Sequence, residues 1–342
     1  MIIGKNMVKS IGAVGLAMAL ILSAGTFAFA TENTANSIQA EESADIAERF
    51  VDTDVIGDVV EAADKFVDAS GEVTTTIPKD GDGFVTMKDE DGIEIGMSLP
   101  KELNTEEGIA TDNGTVVYQS DESADVCIQS ITKAAQDGIT LDSVRELVLI
   151  KDKEAPKEYV FNFDLPEGYR LVTSEAYCAV INSTTDFDED NPDADPGFIY
   201  IVDGNNEIQA VVDVPWAKDA NGNDVKTDYT IKGLTLVQHV DFNENNVFPI
   251  VADPTTSKKV HVGTSSGTKY NSKKTKKLTY TIKTYKFYKK AEHSTTWRYN
   301  YTEYHWSWTG YKKSGGNWVK DKSRSGVDRV HNDPQSFMES YF

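Results

Sequence analysis

The chain has 342 residues, of which 39% are hydrophobic and 10% aromatic, so it can build a packed core and is not a wholly disordered protein. Its 24 glycines and 10 prolines show no Gly-X-Y period, which excludes a collagen-like protein. The formal net charge at pH 7 is −21, and the length allows about two domains.

Residues 1–30 have the pattern of a secretory signal peptide. Two lysines precede an apolar run over residues 11–28, and the segment ends in the small-x-small pattern Ala-Phe-Ala. We therefore expect cleavage between Ala30 and Thr31 and a secreted protein, extracellular or loosely associated with the cell wall. An uncleaved membrane anchor is the alternative. No later run approaches the roughly 20 apolar residues of a transmembrane helix.

Residues 31–70 are expected to form a polar segment followed by an amphipathic helix. In residues 43–69 the apolar side chains recur at spacings near three and four, which indicates a helix. Ser43 is a suitable N-cap, with acidic residues in the first turn. The sequence therefore predicts one short N-terminal helix.

Residues 71–254 are acidic and have the pattern of antiparallel β-structure. Many short apolar or alternating runs are separated by turn sequences such as Asp82-Gly83 and Asp203-Gly204. We expect a mainly β fold with an antiparallel, sandwich-like domain here.

Both cysteines of the chain lie in strand-like runs of this domain. An exported protein with an even number of cysteines can form one bridge, here Cys127–Cys178. Such a bridge closes a loop of about fifty residues and stabilises by roughly 4 kcal/mol in the chain-entropy model. Two buried free thiols are the alternative.

The charge of the chain is divided at residue 254. Residues 255–342 carry 18 Lys and Arg against 6 Asp and Glu, a net charge of +12, which leaves −33 for residues 1–254. Residues 255–277 are mostly Ser, Thr, Gly and Lys, a composition typical of a linker. Lys273-Lys274 and Lys276-Lys277 are candidate sites of proteolytic cleavage in it.

Residues 278–342 are expected to form a small antiparallel β module rich in aromatic and basic residues. Two alternating runs change parity, between Ile282 and Tyr285 and between Tyr301 and Tyr304. We predict a β-bulge in each strand that keeps the aromatic side chains on one face, and a short strand near residues 317–320. The candidate residues for binding an anionic surface are Lys283, Lys286, Lys289, Lys290, Trp297, Arg298, Trp306, Trp308, Lys312 and Lys313.

Residues from about 90 to 254 resemble a domain of secreted bacterial YD-repeat (Rhs-like) proteins and related exported proteins. The resemblance implies a β-rich scaffold with no established enzyme activity. One departure is the acidic insertion at residues 186–197, where the family has a short turn. The matching residues are Glu158, Tyr159, Phe161, Phe163, Leu165, Pro166, Gly168, Pro215, Trp216, Ala217, Asp219, Ala220, Gly222, Tyr229, Ile231, Gly233 and the run Phe-Pro-Ile-Val-Ala-Asp-Pro at 248–254.

The tail is similar to lactococcin-type β-sandwich bacteriocins, because both are exported by a signal peptide and end in aromatic residues, here Tyr341-Phe342. This second resemblance implies a toxin-like role for the tail.

Metal and catalytic motifs are sparse. Asp186, Asp188 and Asp190 place hard oxygen ligands at alternate positions, which suits Ca²⁺, but Asn191 and Gly197 stand where an EF-hand loop needs Gly and Glu. A solvated acidic turn is the alternative. We predict no catalytic residues and no enzyme activity, because no zinc-binding His-Glu-x-x-His motif, phosphate loop or nucleophile elbow is present.

Two hypotheses on function follow. In the first, a secreted acidic scaffold carries a cationic, aromatic module that binds anionic cell-surface polymers or membranes, and proteolysis releases it as a bacteriocin-like toxin. In the second, the chain stays uncleaved and its basic tail tethers the scaffold to the cell wall. A third interpretation is that the aromatic side chains form only a small core. Nucleic acid is an unlikely partner for an exported protein.

Overall fold

The computed structural model describes residues 26–51, 55–120, 123–134, 140–177, 179, 197–258, 260–290, 297–328 and 341–342. In these residues the fold is mainly β, with one N-terminal helix. The elements in chain order are α1 (Thr26–Glu48), β1 (Val55–Ile56), β2 (Val60–Glu61), β3 (Lys65–Asp68), β4 (Thr74–Pro78), β5 (Phe84–Lys88), β6 (Glu94–Ser98), β7 (Ile109–Ala110), β8 (Val116–Tyr118), β9 (Ala124–Ala134), β10 (Thr140–Ile150), β11 (Glu158–Asp164), β12 (Arg170–Thr173), β13 (Ile199–Val202), β14 (Ile208–Val212), β15 (Ala217–Lys218), β16 (Thr227–Lys232), β17 (Thr235–Val240), β18 (Ile250–Ala252), β19 (Thr255–Lys258), β20 (Val260–Tyr270), β21 (Lys276–Lys290), β22 (Trp297–Ser314) and β23 (Asn317–Asp328).

Two antiparallel sheets form a sandwich, as the turn pattern predicts. The larger sheet has the order β12-β13-β14-β19-β10-β9-β8-β7, with β1, β15 and β18 paired off this path. The smaller sheet has the order β16-β17-β11-β6-β5-β4-β3-β2. Strand β11 illustrates why the sheets pack together: the buried Tyr159, Phe161 and Phe163 alternate with less buried residues, so all three rings face the core between the sheets.

Helix α1 covers part of the outer face of the larger sheet. Ala40, Ala44 and Ala47 recur at helical spacing and pack in one cluster with Cys127 and Leu149 of the sheet. The helix is fixed by a hydrogen bond of 2.8 Å from Ser43 Oγ to Asp125 Oδ2. Small side chains on this face of the helix allow it to approach the sheet closely.

The helix predicted over residues 43–69 is wrong in its extent. Helix α1 ends at Glu48, and the residues from Val55 to Asp68 contribute the short strands β1, β2 and β3. Val55 pairs with Thr132 at the edge of the larger sheet. Valine and isoleucine have high β-propensity, and pairing with an existing sheet outweighs an apolar pattern that also fits a helix. The predicted cleavage site, Ala30–Thr31, lies within α1, and residues 1–25 are outside the described part of the chain.

The linker predicted over residues 255–277 is wrong, because most of this segment is strand. Strand β19 is a buried central strand that pairs with both β10 and β14, and β20 follows after a single residue. The polar side chains of β19 are buried with partners: Ser257 Oγ lies 2.8 Å from Ser143 Oγ, and Lys258 Nζ lies 2.8 Å from Asp89 Oδ2. Partners of this kind offset the cost of burying polar groups, which composition alone does not reveal.

The third sheet is the small C-terminal antiparallel module, with the order β20-β21-β22-β23. Its last strand is longer than the predicted strand near residues 317–320. Ser314 pairs with Asn317 across a two-residue turn in which Gly315 and Gly316 have φ values of +57° and +86°. A tight hairpin turn of this type needs positive φ at both positions, which glycine adopts without strain.

The bulges predicted from the parity changes are wrong in place and in consequence. Strands β21 and β22 pair in unbroken register from Lys276 to Phe287, so no bulge separates Ile282 from Tyr285. These two side chains therefore point to opposite faces of the sheet. Tyr285 packs instead against the sandwich, in a cluster with Tyr177, Phe198 and Tyr200. The parity change thus positions one ring for contact between the sheet and the sandwich.

Candidate functional site

The four-stranded sheet has two chemically different faces. One face, which we call the covered face, carries Leu278, Ile282, Trp306 and Trp308, and these side chains form a small core with Tyr341 near the C-terminus. The opposite face, which we call the open face, carries the side chains of alternate parity, among them Lys277, Lys283 and Tyr311 by the strand register.

Tyr341 packs on the covered face over a glycine and is surrounded by polar contacts. Gly310 lies under its ring, and a Cβ atom at residue 310 would come within 2.5 Å of Tyr341 Cζ. Lys276 Nζ donates a hydrogen bond of 3.1 Å to the carbonyl oxygen of Tyr341. Lys312 forms an ion pair of 3.0 Å with Asp321, and the hydrogen bond from Lys312 holds the pKa of Asp321 below its usual value. These contacts keep the C-terminal ring over Trp308, at a centroid separation of 5.3 Å.

Two of the predicted binding residues belong to this core. Trp306 is 8% exposed and Trp308 is 4% exposed, so neither ring is on the surface, and the prediction that they bind a partner there is wrong. Both tryptophans occupy even-numbered positions on β22, and side chains at these positions point to the face that Tyr341 covers. The interpretation that aromatic side chains of the tail form a small core holds for these two residues.

The open face carries a cluster of lysines and aromatic rings at one end, in which Lys313 and Tyr270 are exposed and the other members are half-buried. At this end, which we call the turn end, the turn at residues 271–275 and the turn at residues 315–316 lie side by side. Lys277 Nζ lies 4.9 Å from the ring centre of Tyr311 and 5.1 Å from that of Trp318. Lys313 Nζ lies 5.8 Å from the same Trp318 ring, and Tyr270 completes the turn-end cluster.

Cation–π contacts fix the lysines of this cluster without neutralising them. The rings attract the ammonium groups through their electron-rich faces, and within the described residues no carboxylate forms an ion pair with Lys277 or Lys313. Tyr270 is 51% exposed, and its ring centre lies 5.9 Å from that of Trp318. The cluster therefore presents pre-positioned positive charge and ring surface together.

The middle of the open face contacts an acidic turn of the sandwich. The turn between β5 and β6 carries Asp89 and Asp91, and Lys283 Nζ lies 2.8 Å and 2.6 Å from the two carboxylate oxygens of Asp91. Burial raises the pKa of Tyr285, and the charge of Asp91 adds to the effect. Lys283 is therefore already occupied by a carboxylate of the same chain.

The structure does not bring the predicted basic residues into one patch. Lys286 is half-buried on the covered side of β21. The described backbone places Lys289 opposite Arg298 and Lys290 opposite Trp297, at the far end of the hairpin. Lys312 pairs with Lys276, fourteen residues from Lys290, which is about 45 Å along a strand. Of the predicted set, Lys313 alone belongs to the turn-end cluster.

Sequence reasoning missed four members of this cluster: Tyr270, Lys277, Tyr311 and Trp318. Two signals in the sequence point to them. Trp318 follows the Gly-Gly turn, and the register set by that turn places it beside Lys313. Lys277 has the opposite parity from Leu278 and Ile282, which assigns it to the other face of the strand.

The remaining candidate sites stay predictions. Cys127 is a buried free thiol in the structure, and burial raises its pKa; Cys178 lies outside the described residues. Asp186, Asp188 and Asp190 also lie outside them. Within the described ranges, no group of three or more His, Cys, Asp or Glu is arranged to hold a metal ion. Among the described residues, neither α1 nor any other helix is long and apolar enough to cross a membrane.

No protein-family model matches this chain, and no curated protein is significantly similar to it.

Proposed function

We propose that this chain is a secreted, non-enzymatic bacterial protein that binds anionic polymers of the cell surface through the open face of its C-terminal sheet. The observation that carries the proposal is the turn-end cluster, in which Lys277 Nζ lies 4.9 Å from the ring centre of Tyr311 and 5.1 Å from that of Trp318. Positive charge concentrated on an accessible surface attracts polyanions and increases the rate of encounter. The secretion signal predicted for residues 1–30 supports a partner outside the cell.

The division of charge supports a role for the sandwich as carrier. Residues 1–254 have a net charge of −33, and residues 255–342 have a net charge of +12. An acidic scaffold is repelled by an anionic surface, so the protein would approach that surface with its C-terminal sheet first. Among the described residues of the open face, Lys283 is paired with Asp91, whereas Lys277 and Lys313 of the turn-end cluster contact aromatic rings and keep their charge.

The strand order favours the uncleaved form of the protein. The pair Lys273-Lys274 lies in the turn between β20 and β21, and these two strands pair from Val260–Lys286 to Tyr270–Lys277. A cut in this turn would leave both strands held by their hydrogen bonds, with β20 still continuous with buried β19. We therefore propose a surface-binding protein that acts intact, rather than the precursor of a released toxin.

The test is a binding assay of the full mature chain with purified bacterial wall sacculi, prepared with and without their covalently attached anionic polymer. We expect binding to the polymer-bearing sacculi at 50 mM NaCl and its loss at 500 mM NaCl, because salt screens charge interactions. The double variant Lys277→Gln with Lys313→Gln should bind about tenfold more weakly, the scale of 1.4 kcal/mol.

The matched control replaces two exposed lysines of the sandwich, Lys101→Gln with Lys232→Gln, which removes the same charge from another surface. The control should bind like the unaltered chain. Absence of binding at low salt, or equal losses in both double variants, would overturn the proposal. Intact-mass measurement of protein recovered from culture tests the uncleaved form, since a fragment beginning between residues 255 and 277 would contradict it.

A further inference from the structure

The centre of the open face is a surface of hydroxyl groups. Two adjacent cross-strand rows lie between the turn-end cluster and Lys283, and their described side chains are all serine or threonine. Four of the seven are exposed, and the three threonines of the central strands β21 and β22 are half-buried. The seven residues are Ser266, Thr268, Thr279, Thr281, Ser307, Thr309 and Ser323.

These hydroxyl groups form a regular grid. Neighbouring strands lie about 4.8 Å apart, and residues of one face on one strand repeat about every 6.8 Å. Thr279 Oγ1 donates a hydrogen bond of 3.4 Å to the carbonyl oxygen of Thr309, which leaves its lone pairs available. The branched threonine side chains are restricted at χ1, so the grid loses little entropy when a ligand binds.

A hydroxyl group both donates and accepts hydrogen bonds, and the hydroxyl groups of a sugar chain do the same. The two ends of the grid add charge. At the turn end, Lys277 and Lys313 lie beside exposed ring surface, and at the other end Lys283 already binds the carboxylate of Asp91. The Lys283–Asp91 ion pair is thus an example, within the chain itself, of a carboxylate bound by a lysine of this face.

The same features argue against a lipid bilayer or a nucleic acid as the occupant. Insertion into a bilayer needs projecting apolar side chains, and the described side chains of the two central rows are hydroxylic. A nucleic acid has a phosphate at every nucleotide and is held mainly by a continuous series of basic residues. On the open face the described lysines flank the hydroxyl grid instead of lining it.

We infer that the open face binds a polysaccharide chain that carries spaced anionic groups, with sugar hydroxyls on the Ser/Thr grid and an anionic group at the turn-end cluster. This inference rests on the proposed function and specifies its ligand class. The rings of Trp318 and Tyr270 supply the flat surface on which a sugar ring can pack.

The experiment compares three soluble or dispersed probes with the full mature chain: polygalacturonate, an anionic polysaccharide; polyphosphate, a polyanion without sugars; and phosphatidylglycerol vesicles. At 100 mM NaCl and equal charge concentration, we expect polygalacturonate to bind at least about fivefold more tightly than polyphosphate. The double variant Thr279→Val with Thr309→Val should lose about fivefold in affinity for polygalacturonate, the scale of one or two net hydrogen bonds, and keep its affinity for polyphosphate.

Two controls separate the hydroxyl groups from changes in packing. Thr279→Ser with Thr309→Ser keeps both hydroxyls and should keep the binding. Thr230→Val alters an exposed threonine on β16 of the sandwich and should have no effect. If the valine double variant fails to fold, judged by far-ultraviolet circular dichroism, Ser307→Ala with Ser323→Ala serves in its place.

The outcomes distinguish this inference from the proposed function. If polyphosphate or the vesicles bind as tightly as polygalacturonate, or if loss of the hydroxyls leaves polygalacturonate binding unchanged, the polysaccharide assignment is overturned and charge-driven surface binding stands. If none of the probes and no polymer-bearing sacculi bind, both proposals are overturned.

Discussion

Lysine side chains have different partners in the sandwich and at the turn end of the four-stranded sheet. In the sandwich, lysines are buried against carboxylates: Lys258 Nζ lies 2.8 Å from Asp89 Oδ2, and Lys133 Nζ lies 3.0 Å from Asp213 Oδ2. On the open face of the sheet, Lys277 and Lys313 contact rings instead. A buried charge needs an opposite charge or hydrogen bonds, whereas a lysine held by a ring keeps its charge for a partner. The buried lysines of the sandwich therefore differ from the two lysines of the turn-end cluster in that a carboxylate of the same chain satisfies their charge.

The largest expected effect comes from the sandwich core. Phe161 is fully buried between the two sheets, so Phe161→Ala should lower the free energy of unfolding by about 3–5 kcal/mol, measured by urea denaturation. Phe84→Ala, at a ring that is 37% exposed, is the control and should cost much less. Equal losses in the two variants would contradict the placement of the core.

A smaller effect tests the buried charges of the sandwich. Asp89→Ala removes the partner of buried Lys258 and the acceptor of the Ile93 backbone N–H, and we expect a loss of about 2–3 kcal/mol in urea denaturation. Asp91→Ala, two residues away, removes a half-exposed partner of Lys283 and should cost less than about 1 kcal/mol. If the two variants cost the same, internal satisfaction of charge would not distinguish the two regions.

The fully buried Glu146 is an exception within the sandwich. Neither of its carboxylate oxygens has a hydrogen-bond partner among the described residues, and burial raises its pKa well above the usual value. Its contribution to stability is therefore complete below about pH 4.5 and is lost as pH rises through the raised pKa of the folded state. Glu146→Gln should raise the free energy of unfolding by about 1–2 kcal/mol at pH 8.

The control for this prediction is the pH dependence itself. The difference between Glu146→Gln and the unaltered chain should shrink as pH is lowered towards 4, where the glutamate is protonated in both folded and unfolded states. A difference that does not change between pH 4 and pH 8 would contradict a neutral carboxyl group in the core.

The smallest expected effect tests the covered face of the sheet. Gly310→Ala places a methyl group where the ring of Tyr341 lies, so the ring must move, at a cost of about 1 kcal/mol. Displacement of Tyr341 exposes Trp308, and tryptophan fluorescence should shift to longer wavelength. Gly204→Ala, at a glycine with open space around it, is the control. An unshifted spectrum would show that Tyr341 does not cover Trp308.

The part of the fold that could be predicted from sequence is the part fixed by local patterns. The recurrence of aromatic rings at every second residue, Tyr159, Phe161 and Phe163, predicts a strand and its buried face, and Asx-Gly pairs mark turns. The segment after Asp253 could not be predicted in the same way. Its Ser, Thr and Lys side chains have the composition of a linker, and they become a buried strand because distant residues such as Ser143 and Asp89 supply their partners.

The candidate site was predictable only in its general character. A basic, aromatic, antiparallel module follows from residue types and alternation, but the division of its side chains between two faces depends on strand register. Trp308 and Trp318 are both tryptophans at even-numbered positions. The turn at residues 315–316 and the register shift between β22 and β23 at residues 310–311 nevertheless place Trp308 in the core and Trp318 beside Lys313. Sequence counts alone do not resolve that difference.

The junction between β19 and β20 has a mechanical consequence. Because a single residue separates these strands, tension applied to the C-terminal sheet is transmitted directly to β19, which lies between β10 and β14. A pull along β19 loads its backbone hydrogen bonds to both neighbours in parallel, as a shear, instead of opening them one after another. A protein anchored to a surface through its last sheet would thus carry the load of fluid drag in the middle of its largest sheet.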